Sequence, residues 1–362
     1  MKILIIYRIY IDEKSTFGIA RKQKSQASAF RALGHECDFL AISAKGYCLN
    51  DKLIKRKNFG SEPAKSFNLF YCFFRDIPKI LKKTYGVYYI RYSPMSSGLE
   101  MMVERLSRHF PESKVILDFP TFPFIEEYTG LKKKIASYRF KKVSDFSRRI
   151  DKATVLDDRK TIIGIPCIQI ENAIDVEKLK PKTINTDHKI DLLFVGHLTK
   201  SQGIDRLING FIEAEEAMRE KFTLTIIGEG PEENRLKAMA SPFEDYIRFM
   251  SNKYNQELDS YYNQADLGIG NLGIHRVGLD YSSGLKHREY CARGLPFFYS
   301  CKDSKFDDEN FIIKVDPDDS SIDLKEISDQ YAMVEKNVST IRKFAEKNIG
   351  WKKEMQKILD HL

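Results

Sequence analysis

Lys286, Glu289 and Arg293 stand at spacings of three and four, so on a helix they share one face. The stretch around them runs Gly284-Leu285-Lys286-His287-Arg288-Glu289-Tyr290-Cys291-Ala292-Arg293-Gly294-Leu295-Pro296. Ser282-Ser283 before it are candidate N-caps, and Gly294 and Pro296 read as a stop. These signals predict a helix of about ten residues, followed by a short buried strand, Phe297-Phe298-Tyr299. A cation at a helix start works against the helix dipole. It suits a helix start that receives an anion, because the free N–H groups there also bind phosphate. Glu289, one turn deeper, would then reach hydroxyls beside that anion. A surface ladder of ion pairs, Lys286–Glu289 and Glu289–Arg293, fits the same spacing.

The elements that must position this helix fall into two α/β halves. Residues 2–7 are unbroken apolar, as in a strand of a parallel sheet covered on both faces. A loop to Gly18, a helical pattern from Ile19 to Leu33 and a strand over 36–42 make a βαβ unit. It lacks the G-x-G-x-x-G spacing, which argues against an NAD-type cofactor. Helices are expected over 66–84, 98–110 and 131–149, and strands over 87–92, 114–118, 153–156 and 166–170. Strand 114–118 runs into an aromatic, Pro-stiffened loop. Asp118, Thr121, Glu126 and Glu127 are candidates there, because ligands gather at strand ends in open α/β sheets.

In the second half, strands are expected over 190–195, 222–227, 246–250 and 265–269, with helices over 203–220, 232–240, 255–264 and 323–362. The loop from Asn271 to Ser283 carries the pair His275-Arg276. Asp316-Pro317-Asp318 resembles a metal-holding Asp-x-Asp, but its late position makes it the N-cap of a helix instead. No metal is expected.

Glu289 through Pro296 resembles the Glu-x-x-x-x-Gly-x-Pro segment of retaining GT-B glycosyltransferases, family four. Residues 270–298 are similar to a branch of it found in bacterial capsule and exopolysaccharide loci. The resemblance implies a GT-B fold: two Rossmann-like domains with an interdomain cleft. It implies domains at 1–175 for the acceptor and 176–345 for the nucleotide-sugar donor, with a helix over 346–362 packing back on the first. Glu171-Asn172-Ala173-Ile174-Asp175 matches the segment that closes the first domain. Glu289 would bind the donor ribose. Gly18 matches the glycine that approaches the donor diphosphate, and Gly196 the turn at the head of the second domain. Ser283 and Leu285, at the helix start, complete the donor set.

Two departures from the family pattern matter. His197 and Gln202 stand where an Arg and a Lys clamp the diphosphate, so His197 is carried as a donor-binding residue with weaker charge. Lys286, His275 and Arg276 become the candidate catalytic residues, with Arg206 in reserve. Tyr281 replaces the Glu that contacts the donor hexose, with Asp280 beside it.

With 362 residues, 42% hydrophobic and 30% charged, the chain is an ordinary globular one with room for two cores. No apolar run spans a bilayer, and the opening Met1–Tyr7 stretch is too short for a signal peptide. A cytoplasmic protein is expected. The six cysteines have no metal-like spacing, and Cys37, Cys167 and Cys291 read as reduced core residues. The net charge of +8 is clustered in the first half, at Lys52/Lys55/Arg56/Lys57, Lys79/Lys82/Lys83, Lys132/Lys133/Lys134 and Arg139/Lys141/Lys142. No nucleic-acid motif accompanies it, so an anionic membrane surface is the expected partner, on the inner face of the plasma membrane. The function expected is hexosyl transfer from a nucleotide-sugar to a saccharide or lipid-linked acceptor, with no cofactor. The alternatives are an inverting transferase, a nucleotide-sugar epimerase, or a donor-binding scaffold without catalysis.

Overall fold

The computed structural model describes residues 1–13, 16–120, 128, 130–183, 189–253 and 255–362. They form two compact units, Met1–Glu171 with Trp351–Leu362, and Asn172–Gly350. The candidates Thr121, Glu126 and Glu127 lie outside the described residues.

In chain order the first unit contains β1 (Lys2–Tyr10), α1 (Phe17–Ala32), β2 (Glu36–Ser43), β3 (Gly46–Leu49), β4 (Lys52–Arg56), α2 (Glu62–Phe67), a π turn (Asn68–Cys72) and α3 (Phe73–Ile80). It continues through β5 (Val87–Arg91), α4 (Leu99–His109), β6 (Lys114–Asp118), α5 (Gly130–Val143), β7 (Lys152–Val155), β8 (Thr161–Ile162) and β9 (Ile165–Gln169). The sheet order is β4-β3-β2-β1-β5-β6-β7-β9-β8. The strands from β2 to β9 pair in parallel, and antiparallel hairpins close both edges. Because β1 and β5 are neighbours while β2 lies on the far side of β1, the chain changes direction between β1 and β5.

The second unit contains β10 (Ile190–Val195), α6 (Ile204–Glu213), α7 (Glu216–Arg219), β11 (Phe222–Ile227), α8 (Glu233–Ala240), β12 (Ile247–Met250), α9 (Asp259–Gln264) and β13 (Leu267–Ile269). Then come α10 (Leu285–Arg293), β14 (Phe297–Tyr299), β15 (Ile312–Lys314), α11 (Leu324–Met333) and α12 (Val338–Asn348). Its sheet is parallel throughout, in the order β12-β11-β10-β13-β14-β15. That is the doubly wound order, with its switch point between β10 and β13. α13 (Trp351–Leu359) belongs to the first unit, where it packs against α1. Lys22 of α1 lies over the Trp351 ring at 5.4 Å.

Several expectations need correction. The single helix expected over 66–84 is α2, a π turn and α3. The interruption has a cause: Asn68 is buried, its Oδ1 accepting from the Tyr47 hydroxyl at 2.8 Å and its Nδ2 donating to the Tyr10 hydroxyl at 3.3 Å. Gly18 is in the first turn of α1, not in the loop before it. The helix expected over 131–149 ends as α5 at Val143. The basic run 52–57 lies largely on β4, an exposed edge strand that the charge pattern did not announce. Asp118 is no free carboxylate: it is buried and accepts from Thr154 Oγ1 at 2.9 Å. Asp316-Pro317-Asp318 caps no helix. α11 starts at Leu324 with Asp323 as its cap, while Asp318 accepts from Ser320 and the Arg206 guanidinium. All six cysteines are free, and Cys167 is half-buried rather than in the core.

The doubly wound unit tolerates little added volume where its helices meet loops. Gly210 sits inside α6, and a Cβ there would lie 2.0 Å from the backbone oxygen of Ile322. Helix propensity alone would favour alanine by about 1 kcal/mol. The close approach should win: Gly210→Ala is expected to lower the urea midpoint of unfolding, by about 1–3 kcal/mol of stability. An unchanged or raised midpoint would show that the loop at Ile322 yields freely.

Candidate functional site

The switch point of the second sheet puts the ends of β10 and β13 side by side, and the chemistry collects there. β10 runs into Gly196-His197, β11 into Gly228-Glu229-Gly230, and β13 into Gly270-Asn271. Backbone bonds lace these turns: Gly196 N–H donates to Ile227 O at 3.0 Å, Leu198 N–H to Glu229 O at 2.9 Å, and Leu272 N–H to Gln202 O at 3.0 Å. The packing is close enough to dictate glycine. Gly228 has φ +151°, and a Cβ there would meet Gly196 O at 1.9 Å.

α10 starts at this edge. Its N-cap is Gly284, with no side chain capping it. The expected cap, Ser283, is buried and engaged elsewhere: its Oγ accepts from Asn172 N–H and its carbonyl from Asn172 Nδ2, both at 2.8 Å. Ser282 Oγ accepts from Asn271 Nδ2 at 2.7 Å. The first turn of α10 therefore presents main-chain N–H groups without a side-chain oxygen, the arrangement that accepts an anion. Leu285 is exposed at this start.

Lys286 leans from the first turn toward the end of β10. Its Nζ donates to Gln202 Oε1 and lies 4.1 Å from the centre of the Phe194 ring. A Cβ at Gly196 would lie 3.6 Å from that Nζ. No carboxylate bonds it among the described contacts, and desolvation pulls it from the ordinary 10.5 to about 7. Gln202, the position where the resemblance calls for a lysine, thus touches a lysine supplied by α10. His197 is exposed beside Gly196.

Glu289, one turn on, is a quarter exposed and makes a long 3.5 Å contact with Arg293 Nη2. Half of the anticipated ladder exists, but Lys286 turns to Gln202. Arg293 is held more firmly by Asp259 at 2.7 Å and by the Tyr262 ring at 4.1 Å. His275 and Arg276 lie on a 3-10 turn, Ile274–Val277, and face carboxylates: Arg276 pairs with Asp319 at 2.6 Å and Asp205 at 2.8 Å, and His275 Nε2 is 3.2 Å from Asp319. Arg206 is buried and bonds Ser320 O, Leu272 O and Asp318, so it is not in reserve for a ligand. Asp280 pairs with Lys302 at 3.1 Å, and Tyr281 bridges to Lys302 along the backbone. Gly18 lies in the other unit, on α1.

The sequence reading missed the cluster that holds α10 in place. His287, Arg288 and Asp303 are all fully buried. His287 Nδ1 is 2.9 Å from Asp303 Oδ2, and its Nε2 accepts from Asn271 N–H at 3.3 Å. This fixes a neutral ring that donates through Nδ1. Burial lowers the His287 pKa more than Asp303 restores it. Arg288 bonds both oxygens of Asp303 and donates to Asn172 O at 2.8 Å. Burial pushes the Asp303 carboxyl up, but Arg288 and His287 together hold it below its ordinary range. No local signal marked them: α10 is buried at 287, 288 and 290–293, and His287 and Arg288 are polar residues whose partner lies beyond the helix.

Comparison with known proteins falls on this same edge. Residues 175–298 match the family model described as glycosyl transferases group 1. An uncharacterized glycosyltransferase of Methanocaldococcus jannaschii is 32% identical over 80 residues, which is 22% of this chain and 20% of that relative. Among solved structures, sucrose-phosphate synthase from Thermosynechococcus elongatus superposes with a TM-score of 0.66 at 14% identity, covering 99% of this chain and 98% of that one. The catalytic domain of starch synthase IV from Arabidopsis thaliana gives 0.65 at 10% identity, covering 99% and 98%. The fold is GT-B, and the glycosyl transferases group 1 match lies within its second unit.

The depressed Lys286 makes a two-sided pH prediction. Its folded value, about 7, lies below the ordinary 10.5, so between these pH values the unfolded chain binds a proton that the folded chain does not. Stability should therefore rise with pH across that window, with the penalty complete below about 7. Anion affinity should move the opposite way, because an anion needs the ammonium. Subtracting the Lys286→Met profile from wild type, in both thermal unfolding and UDP calorimetry, isolates the two trends. Superimposable profiles would remove Lys286 from the anion site.

Proposed function

We propose that this protein transfers a sugar from a nucleotide-sugar donor to a saccharide acceptor, with the second unit holding the donor. One observation carries the proposal: the family match takes in the whole of α10, which begins without a side-chain cap, with the Lys286 ammonium beside that start and the Glu289 carboxylate one turn further. In this reading the diphosphate lies at the helix start and the ribose hydroxyls donate to Glu289. The acceptor hydroxyl's oxygen bonds to the anomeric carbon as the bond from that carbon to the diphosphate breaks, and the hydroxyl proton passes to the departing diphosphate. The diphosphate gains negative charge as it leaves, and Lys286 with the helix N–H groups stabilises that charge. Its approach restores the proton that desolvation has loosened. Gly196 allows the close approach, and His197 beside it adds a hydrogen-bond donor. The starch synthase neighbour, described as bound to ADP and acarbose, supports a nucleoside diphosphate in this fold.

The finer terms rest on the resemblance of residues 266–300 to the family-four branch. They are a hexose donor, retention at the anomeric carbon, no metal, and a place in bacterial surface polysaccharide synthesis. A lipid-linked acceptor and peripheral attachment to the cytoplasmic leaflet follow from the basic first unit. A donor-binding subunit without turnover is favoured by one observation: Arg276 is already paired with two carboxylates, leaving Lys286 with few cationic allies.

Glu289→Ala should weaken UDP or ADP binding at least about tenfold, the loss of charge-assisted bonds worth about 1.5–3 kcal/mol. Its Tm should hold, because Arg293 keeps Asp259. Equal binding by calorimetry would remove Glu289 from the donor site. Lys286→Ala should lower turnover or slow donor hydrolysis about a hundredfold, with His197→Ala doing less. Wild type that binds nucleotide through Glu289 yet neither transfers nor hydrolyses any nucleotide-sugar would establish the scaffold instead.

A further inference from the structure

The first unit displays a surface that its own core does not require. At the π turn, buried Asn68 draws the helix inward, and Phe67, Phe70 and Tyr71 are left facing solvent. Such turns often mark functional positions. Phe67 and Tyr71 stack at 5.4 Å, with Phe67 60% and Tyr71 46% exposed. Guanidinium groups cover the rings: Arg75 lies 3.8 Å from Tyr71, and Arg139 of α5 lies 4.7 Å from Phe70. Arg75 also donates to Ser97 Oγ at 2.6 Å and Arg139 to Ser96 O at 2.9 Å, which joins the π turn, α5 and the start of α4 into one surface. Along α5, Leu131, Lys134, Tyr138 and Lys142 recur at helical spacing. Leu131 is 73% and Tyr138 63% exposed, and Lys134, Lys141 and Lys142 are exposed among them.

A cavity of about 270 Å³ opens in this surface, lined by Tyr92, Ser93, Ser96, Gly98, Arg139 and Lys142 among others. Glu100 also lines the cavity, and Asp145 pairs with Lys142 at 3.1 Å. In the lining itself two cations, Arg139 and Lys142, face one acid, Glu100.

We propose that this surface docks on an anionic lipid bilayer. Phe67, Phe70, Tyr71, Leu131 and Tyr138 enter the interface, and Arg139 and Lys142 receive a headgroup phosphate at the cavity. Aromatic side chains settle at the headgroup level of membranes. Basic side chains add attraction to anionic lipid, and binding strength grows with buried apolar area and that attraction together. Here both occur on one face. The inference deepens the membrane-facing part of the proposed function and rests on it. It also separates this face from β4, whose Lys52, Lys55 and Arg56 have no aromatic partners among the described ring contacts.

The test uses the full chain and phosphatidylcholine vesicles with and without phosphatidylglycerol, at low salt. Wild type should co-sediment only with the anionic vesicles. Phe67→Ser, Tyr71→Ser, Leu131→Ser and Tyr138→Ser combined should lower that binding more than about tenfold, while UDP binding and Tm stay as in wild type. Lys52→Gln, Lys55→Gln and Arg56→Gln combined should change it about twofold or less. Phe67→Trp should blue-shift on anionic vesicles and be quenched by brominated lipid, a signal distinct from buried Trp351. If the serine variant binds like wild type, or the β4 variant alone loses binding, this face is not the docking surface and the broader membrane reading stands on another one. If wild type binds no vesicle, both fail, and UDP binding reports separately on the donor site.

Discussion

Asp303 is the residue on which the placement of α10 depends. It is fully buried between His287 and Arg288, two neighbours on α10, and it bonds both. An isolated carboxylate there would be very costly. Paired, it fixes the rotation of the helix start. Through His287 it reaches the Asn271 N–H, and through Arg288 the Asn172 carbonyl. One carboxylate thus sets the distance between the helix start, the turn after β13 and the segment that opens the unit. Tyr290 completes the attachment, its hydroxyl within 3.1 Å of both the Leu193 and Ile269 carbonyls at the centre of the sheet.

With its inward face so committed, α10 offers its outer face and first turn for chemistry. Lys286 occupies that turn at an electrostatic cost. Burial disfavours its charge, and Gln202 and the Phe194 ring repay only part of the lost hydration. A site whose cation is poorly solvated and poorly paired is one that an anion completes. Arg276 shows the contrast. Set between Asp205 and Asp319, it ties the loop after β13 to α6 and to the loop before α11, and it is a fastening more than a ligand group.

In the first unit a polar residue in the wrong place does comparable work. Asn68 interrupts a helix because its amide is satisfied only by the Tyr10 and Tyr47 hydroxyls inside the core. Around it Phe67, Phe70 and Tyr71 face solvent, while Phe73 and Phe74 enter the core. A local hydrogen-bond requirement thereby decides which rings meet solvent.

Much of this was legible in the residue order. Strand-like apolar runs, Gly-bearing turns and the capping signals of α10 specify two α/β halves, because periodicity and turn chemistry are local. Glu289, Lys286 and Gly294-Leu295-Pro296 could be assigned to one helix for the same reason. What residue order did not contain was which polar groups would meet. Ser283 looked like a cap, but Asn172, 111 positions earlier, claims its oxygen. Arg206 and Arg276 looked free until the folded chain brought Asp318, Asp205 and Asp319 to them. His287 and Arg288 carried no role until Asp303 was placed beneath them. Elements follow from neighbours along the chain, whereas the charge left available at a site depends on distant side chains competing for the same atoms, and only the tertiary structure settles that competition.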